Sequence, residues 1–134
     1  MMETELYIRK AELKDIPAIL EIEQVCFQED SFSKQQFAYL IGRSKGAFYV
    51  VQEEDRLIAY VSLLFHEGTH YLRVYSIAVH PDFRGRSLGQ RLMEQTIQSA
   101  REYKAEKVTL EVKEGNMPAI GLYMKNGFIP AGIK

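Results

Sequence analysis

Ile77-Ala78-Val79-His80-Pro81-Asp82-Phe83-Arg84-Gly85-Arg86-Ser87-Leu88-Gly89-Gln90-Arg91-Leu92 takes an apolar strand through a basic, glycine-bearing turn straight into a helix. Such a junction is a place to hold an anion. The first turn of a helix leaves backbone N–H groups without partners, and the aligned peptide dipoles make that end partly positive. Gly85 and Gly89 carry no Cβ, so a ligand or a neighbouring backbone can come close. Arg84, Arg86 and Arg91 add attraction for a polyanion and forked contacts to its oxygens.

Two other motifs overlap this run and both fail. Gly85-Arg86-Ser87-Leu88-Gly89 fits G-x-S-x-G, the elbow that exposes a hydrolase serine. That elbow springs directly from a strand, and its histidine follows it in the chain. Here a Pro-containing loop intervenes, and His66, His70 and His80 all precede Ser87. A P-loop would need Gly-Lys-Ser/Thr after the turn, which the sequence lacks.

Composition bounds the alternatives. The chain has 134 residues, 46% of them hydrophobic, which reads as one domain over residues 1–134 with a real core. No run of about 18 apolar residues is present to span a bilayer. A net charge of −1 argues against broad nucleic-acid or membrane-surface binding and confines the basic patch to Arg84–Arg91. No apolar targeting segment follows Met1, and a single cysteine suits a reducing compartment, so the expected location is the cytoplasm. Cys26 lies among Ile19, Ile22 and Phe27 and reads as a packing thiol. The three histidines lack metal-ligand spacing, so no metal site is expected.

Strands and helices alternate along the chain. Leu6–Arg9 reads as a strand, and Asp15 stands near the start of a helix with Ile16, Ile19, Leu20 and Ile22 at helical spacing. Ser33 and Gln36 form a capping box ahead of Phe37, Leu40 and Ile41. Ala47–Gln52 and Leu57–Phe65 predict a hairpin, and Tyr71–Val79 extends it into an antiparallel meander. Leu88, Leu92, Thr96, Ile97 and Ala100 mark one face of a third helix, followed by a short strand at 108–112. Asn116 caps a last helix carrying Ile120, Tyr123 and Met124 that ends at Asn126-Gly127, and Phe128–Ile133 starts one more strand.

Arg84-x-x-Ser87-x-Gly89 after Ile-Ala-Val resembles the acyl-coenzyme-A loop of the GNAT superfamily of N-acetyltransferases, usually Arg or Gln-x-x-Gly-x-Gly or Ala. Ser87 departs from that pattern where glycine is usual. Either φ stays negative at Ser87, or its hydroxyl offsets a strain of about 1–2 kcal/mol by donating to a phosphate. Within the superfamily the chain resembles the ribosomal-protein alanine N-acetyltransferases of the RimI type. The resemblance is carried by Glu23-Gln24 with Phe27, by Ile77-Ala78-Val79 and its loop, and by Leu110-Glu111-Val112, Asn116, Ala119-Ile120, Leu122-Tyr123 and Gly127-Phe128.

The resemblance implies an α/β (α+β) fold, a mixed and mostly antiparallel sheet flanked by helices, with acetyl-CoA wedged where two middle strands splay. It implies cofactor contacts at Ile77, Ala78, Val79, Arg84, Gly85, Arg86, Ser87, Leu88, Gly89, Gln90 and Asn116, with Glu111 as proton acceptor and Tyr123 as proton donor. Members continue into a final strand that this sequence lacks, so either the chain is truncated or a second copy completes the sheet as in a homodimer. The acceptor would be a protein N-terminus or another primary amine. A small-molecule amine, or a non-catalytic acyl-CoA-binding module, stands as the alternative.

The chemistry explains those residue types. An α-amine has a pKa of about 7.7–8.0 and a lysine amine about 10.4, so much of the acceptor arrives protonated and cannot attack a thioester. A carboxylate in a partly desolvated cleft can take that proton. Strand N–H groups near Ile77–Val79 could hold the oxyanion, and a phenol can protonate the leaving thiolate. From local pattern alone, Glu111 reads as a solvated strand residue, Tyr123 as core and Asn116 as a cap. Glu29 and Asp30 could attract a cationic acceptor or be ordinary loop charges.

Overall fold

A computed structural model describes residues 6–27, 32–66, 68, 70–112 and 116–129. Five strands, β1 (Leu6–Lys10), β2 (Gly46–Glu53), β3 (Arg56–His66), β4 (Tyr71–Val79) and β5 (Lys107–Leu110), lie side by side in chain order. The first four pair antiparallel and β4–β5 parallel, the mixed sheet that the resemblance implies. Helices α1 (Ile16–Phe27) and α2 (Lys34–Gly42) cover one face, while α3 (Leu88–Tyr103) and α4 (Met117–Lys125) pack on the other.

Local chemistry sets the helix boundaries. Gln36 N–H donates to Ser33 Oγ at 3.2 Å and Ser33 N–H to Gln36 Oε1 at 2.7 Å, completing the capping box at α2. Ahead of α1, the Asp15 carboxylate accepts two hydrogen bonds from the Arg9 guanidinium, each at 2.8 Å, and one from Glu12 N–H at 2.8 Å. Those donors hold its pKa below the ordinary carboxylate value. Ala119 N–H donates to Asn116 Oδ1 at 3.3 Å, and Gly127 takes the left-handed φ of +92° that ends α4.

The two faces bury separate clusters. Phe37, Phe48 and Tyr60 meet edge-on and stacked beneath α1 and α2, at centroid distances of 5.4 to 5.9 Å. Each such ring, fully buried, contributes about 1.5–3 kcal/mol. The helical stripe of α3 is buried as read, with Met93 and Ser99 added and Ile97 half-buried.

Two strand assignments change. β5 ends at Leu110 rather than Val112, so Glu111 lies just past the strand. The cause is in β4. Ser62 faces Ser76 and Leu63 faces Val74, which leaves Tyr75 as an extra residue. Such a bulge bends its strand, and the β4–β5 ladder stops at Val74 and Leu110. Phe128 and Ile129 form no strand, and the remainder of that expected element lies outside the described residues. Among the described residues β5 pairs only with β4. No helix among them is long and apolar enough to cross a membrane.

Candidate active site

Beyond the last β4–β5 pair the two strands enclose a cleft of ≈ 360 Å³ that passes through the sheet. Glu23, Cys26, Phe27 and Phe32 line it on the α1–α2 side. Tyr75, Ser76 and Ile77 form the β4 wall, Glu111 and Val112 the opposite wall, and Asn116 and Tyr123 close the α4 side. Residues far apart in sequence, Ile77, Glu111, Asn116 and Tyr123, are thus brought together.

The β4 edge presents main-chain groups to this gap. His80 N–H donates to Ile58 O on β3 at 2.8 Å. Main-chain groups alternate sides along a strand, so those of Ile77 and Val79 face away from β3. Val79 O accepts from Cys26 Sγ at 3.4 Å and from Arg84 Nε at 3.3 Å, consistent with that direction. Ala78 is buried on the α1–α2 face.

The turn after β4 is built as a cradle. Gly85 has φ +82° with open space where a Cβ would lie, and Ser87 has φ +61°, ψ +24°, immediately before α3. Ser87 therefore takes the left-handed conformation, which excludes the first of the two alternatives read from sequence, a negative φ. Its side chain makes no helix-capping hydrogen bond. Gly89 has a different reason to be small. A Cβ there would come within 3.0 Å of Leu122 Cδ2, so this glycine lets α3 meet α4. Gly85 has open space beside it, whereas Gly89 has Leu122.

Side chains in the turn are largely committed. Leu88 is core, and Gln90 exchanges amide hydrogen bonds with Asn126 at 2.8 and 2.9 Å. Arg84 also reaches Cys26 Sγ at 3.8 Å, and Arg86 is hydrogen-bonded to Glu53 Oε2 with its guanidinium 5.5 Å from the Phe83 ring centroid. The Arg91 guanidinium pairs with no described carboxylate.

The desolvated carboxylate anticipated at Glu111 is not found there. The Glu111 side chain is 64% exposed and lies 3.7 Å from Arg73. Glu23 is instead buried, with 1% exposure, and burial pushes its pKa up against the opposing hydrogen bonds of Tyr60 and Phe32. Sequence reasoning quoted Glu23 without a role, although a carboxylate on the apolar face of α1, between Ile19, Ile22 and Cys26, was a usable signal. Burial also raises the Tyr123 phenol, which keeps it protonated. Cys26 is half-buried, and its thiol pKa is pushed up by the same cause. Glu29 and Asp30 lie outside the described residues, and among the described residues no three His, Cys, Asp or Glu side chains gather as a metal site requires.

Comparison with known proteins adds three relatives. A Bacillus subtilis (strain 168) protein, provisionally named a ribosomal protein bS18-alanine N-acetyltransferase, is 33% identical over 99% of this chain and 87% of its own. An N-alpha-acetyltransferase of Sulfurisphaera tokodaii is 30% identical over 92% of this chain and 80% of its own. The crystal structure of the ribosomal-protein-S18-alanine N-acetyltransferase from Escherichia coli superposes with a TM-score of 0.85 at 26% identity, covering 96% of this chain and 80% of that one. The sequence profile described as the acetyltransferase (GNAT) family matches residues 16–128. The strand order, the splayed β4–β5 cleft and these matches agree: the chain belongs to the GNAT acetyltransferase family.

Proposed function

We propose that the protein transfers the acetyl group of acetyl-CoA to the α-amine at the N-terminus of a protein, with a ribosomal-protein alanine as the acceptor type. The acceptor type is supported by the names carried by the Bacillus subtilis and Escherichia coli relatives. The observation that carries the reading is the cleft at the end of the β4–β5 ladder, where an outward-facing strand edge, a carboxylate and a buried phenol meet. The turn fits a phosphorylated carrier, because Gly85 leaves open space and the N-terminus of α3 supplies free N–H groups.

In this reading the main chain of Gly85–Gly89 and Gln90 holds the pyrophosphate, with Arg84 and Arg86 adding charge. Main-chain groups of Ile77 and Val79, next to buried Ala78, line the path of the pantetheine arm. Asn116 has its Oδ1 occupied as a cap and keeps its amide N–H groups to donate. Acetyl-CoA, when bound, supplies the acyl group as an activated thioester. Glu111 takes the acceptor's proton at the cleft mouth, and Tyr123, held protonated by burial, gives its proton to the departing sulfur. Residues 1–134 act as one domain, in the cytoplasm.

Thiol release from acetyl-CoA, measured over short peptides with free N-termini, lysine side chains, polyamines and small amines, tests this. Turnover on peptides beginning with alanine is expected. Turnover only on small free amines would overturn the acceptor assignment, and coenzyme binding without turnover would mark a non-catalytic module.

A further inference from the structure

Among the described residues two carboxylates line the cleft, and they differ in what neutralises them. Glu111 is exposed and paired with Arg73. Glu23 is buried, and its hydrogen bonds come from neutral donors: Phe32 N–H to Oε2 at 2.9 Å, and the Tyr60 phenol to Oε1. Among the described residues no Lys, Arg or His pairs with it. A carboxylate removed from water without a cation is strongly disfavoured when ionised. It would be stabilised by a cation arriving through the cleft it lines.

The acceptor of the proposed reaction is such a cation, because a terminal amine near pH 7 is mostly protonated. We propose that Glu23 is the anionic seat for the acceptor's ammonium, at the α1–α2 end of the cleft. The inference rests on the acetyl-transfer reading and adds to it a residue that recognises the charge of the acceptor. The geometry suits a seat rather than a surface ion pair. Each Glu23 oxygen accepts one fixed hydrogen bond and retains a further lone pair. The Tyr60 phenol is itself held 2.8 Å from Ser76 Oγ on the β4 wall, so the carboxylate is locked between α1 and the sheet. Phe32, whose N–H binds Glu23, packs its ring 5.2 Å from Tyr75, which places aromatic walls beside the charge.

The test compares a short peptide beginning with alanine with its Nα-acetylated twin, which carries no terminal charge. Binding of each to the full chain saturated with coenzyme A is measured by calorimetry at pH 7. Wild type is expected to favour the free amine at least tenfold, and Glu23→Gln to abolish that preference by weakening the amine alone. Glu23→Asp, which keeps the charge, is expected to retain part of it. An unchanged preference in Glu23→Gln, or equal loss of both peptides, would overturn the assignment. If Glu23→Gln does not fold, Glu23→Asp decides: a preference equal to wild type or absent altogether counts against the seat. Wild type that acetylates amines without preferring the charged peptide sinks this inference alone, whereas wild type that acetylates no amine sinks the transfer reading.

Discussion

Val74 and Leu110 are the last residues to face each other across β4 and β5. Everything proposed for the site lies beyond that pair. Glu111 follows Leu110 directly, so the position of the proposed proton acceptor is set by where the ladder stops.

Glu111→Gln removes the proposed proton acceptor while keeping the side chain's shape. The expected result is a fall in kcat of about 10²–10⁴-fold, the usual worth of a positioned base. Coenzyme A affinity should be unaffected, because Glu111 lies outside the turn proposed to hold the coenzyme's phosphates. Tyr123→Phe should lower kcat less, and steady-state kinetics with calorimetry checks both.

Ser87→Gly should stabilise the fold. A left-handed φ of +61° costs a serine about 1–2 kcal/mol, part of which glycine returns through its own chain entropy. A net gain of about 1 kcal/mol corresponds to a Tm rise of roughly 3–6 °C for a chain of this size. Coenzyme affinity should hold or improve, and thermal melts with and without coenzyme A measure both effects.

Glu53→Gln frees Arg86 beside the turn proposed to hold the phosphates. Coenzyme A should then bind severalfold tighter at low salt, with the gain fading as screening grows. Arg86→Ala should do the reverse. Titrations at two ionic strengths separate the outcomes, and no salt dependence in either variant would remove Arg86 from the cradle.

Tyr60→Phe takes the phenol from Glu23 and should destabilise the protein by about 1–3 kcal/mol near neutral pH. The sign with pH follows from the raised pKa of Glu23. The native state holds this proton to higher pH than the unfolded chain, so the contribution of Glu23 itself is full below about pH 4 and is lost as pH rises through the native value. The penalty of Tyr60→Phe should accordingly be larger at neutral pH than at pH 4. Urea unfolding at both pH values measures it.

Much of this was legible in the sequence. The Ser33–Gln36 box, the stripe from Leu88 to Ala100 and the strand–turn–helix at residues 77–92 depend on neighbours within a few positions, and each stands as read. The misread elements depend on partners elsewhere. The end of β5 is dictated by an extra residue in β4, which no pattern in β5 records. That Leu122 lies against Gly89 is likewise invisible in the turn, because Leu122 belongs to a different helix. Glu23 and Glu111 exchanged environments for the same reason. Strand alternation describes Glu111 locally, whereas the burial of Glu23 requires β3 to bring Tyr60 beneath α1.

The opening between β4 and β5 depends on a count rather than on a side chain. Tyr75 matters there as one surplus link in the chain, so exchanging it for another residue leaves the gap in place. Deleting it would realign Ser76 behind Val74 without an offset, let the strands zip onward past Leu110, and seal the passage. Substitution there alters one wall of the passage, whereas loss of a single codon closes it.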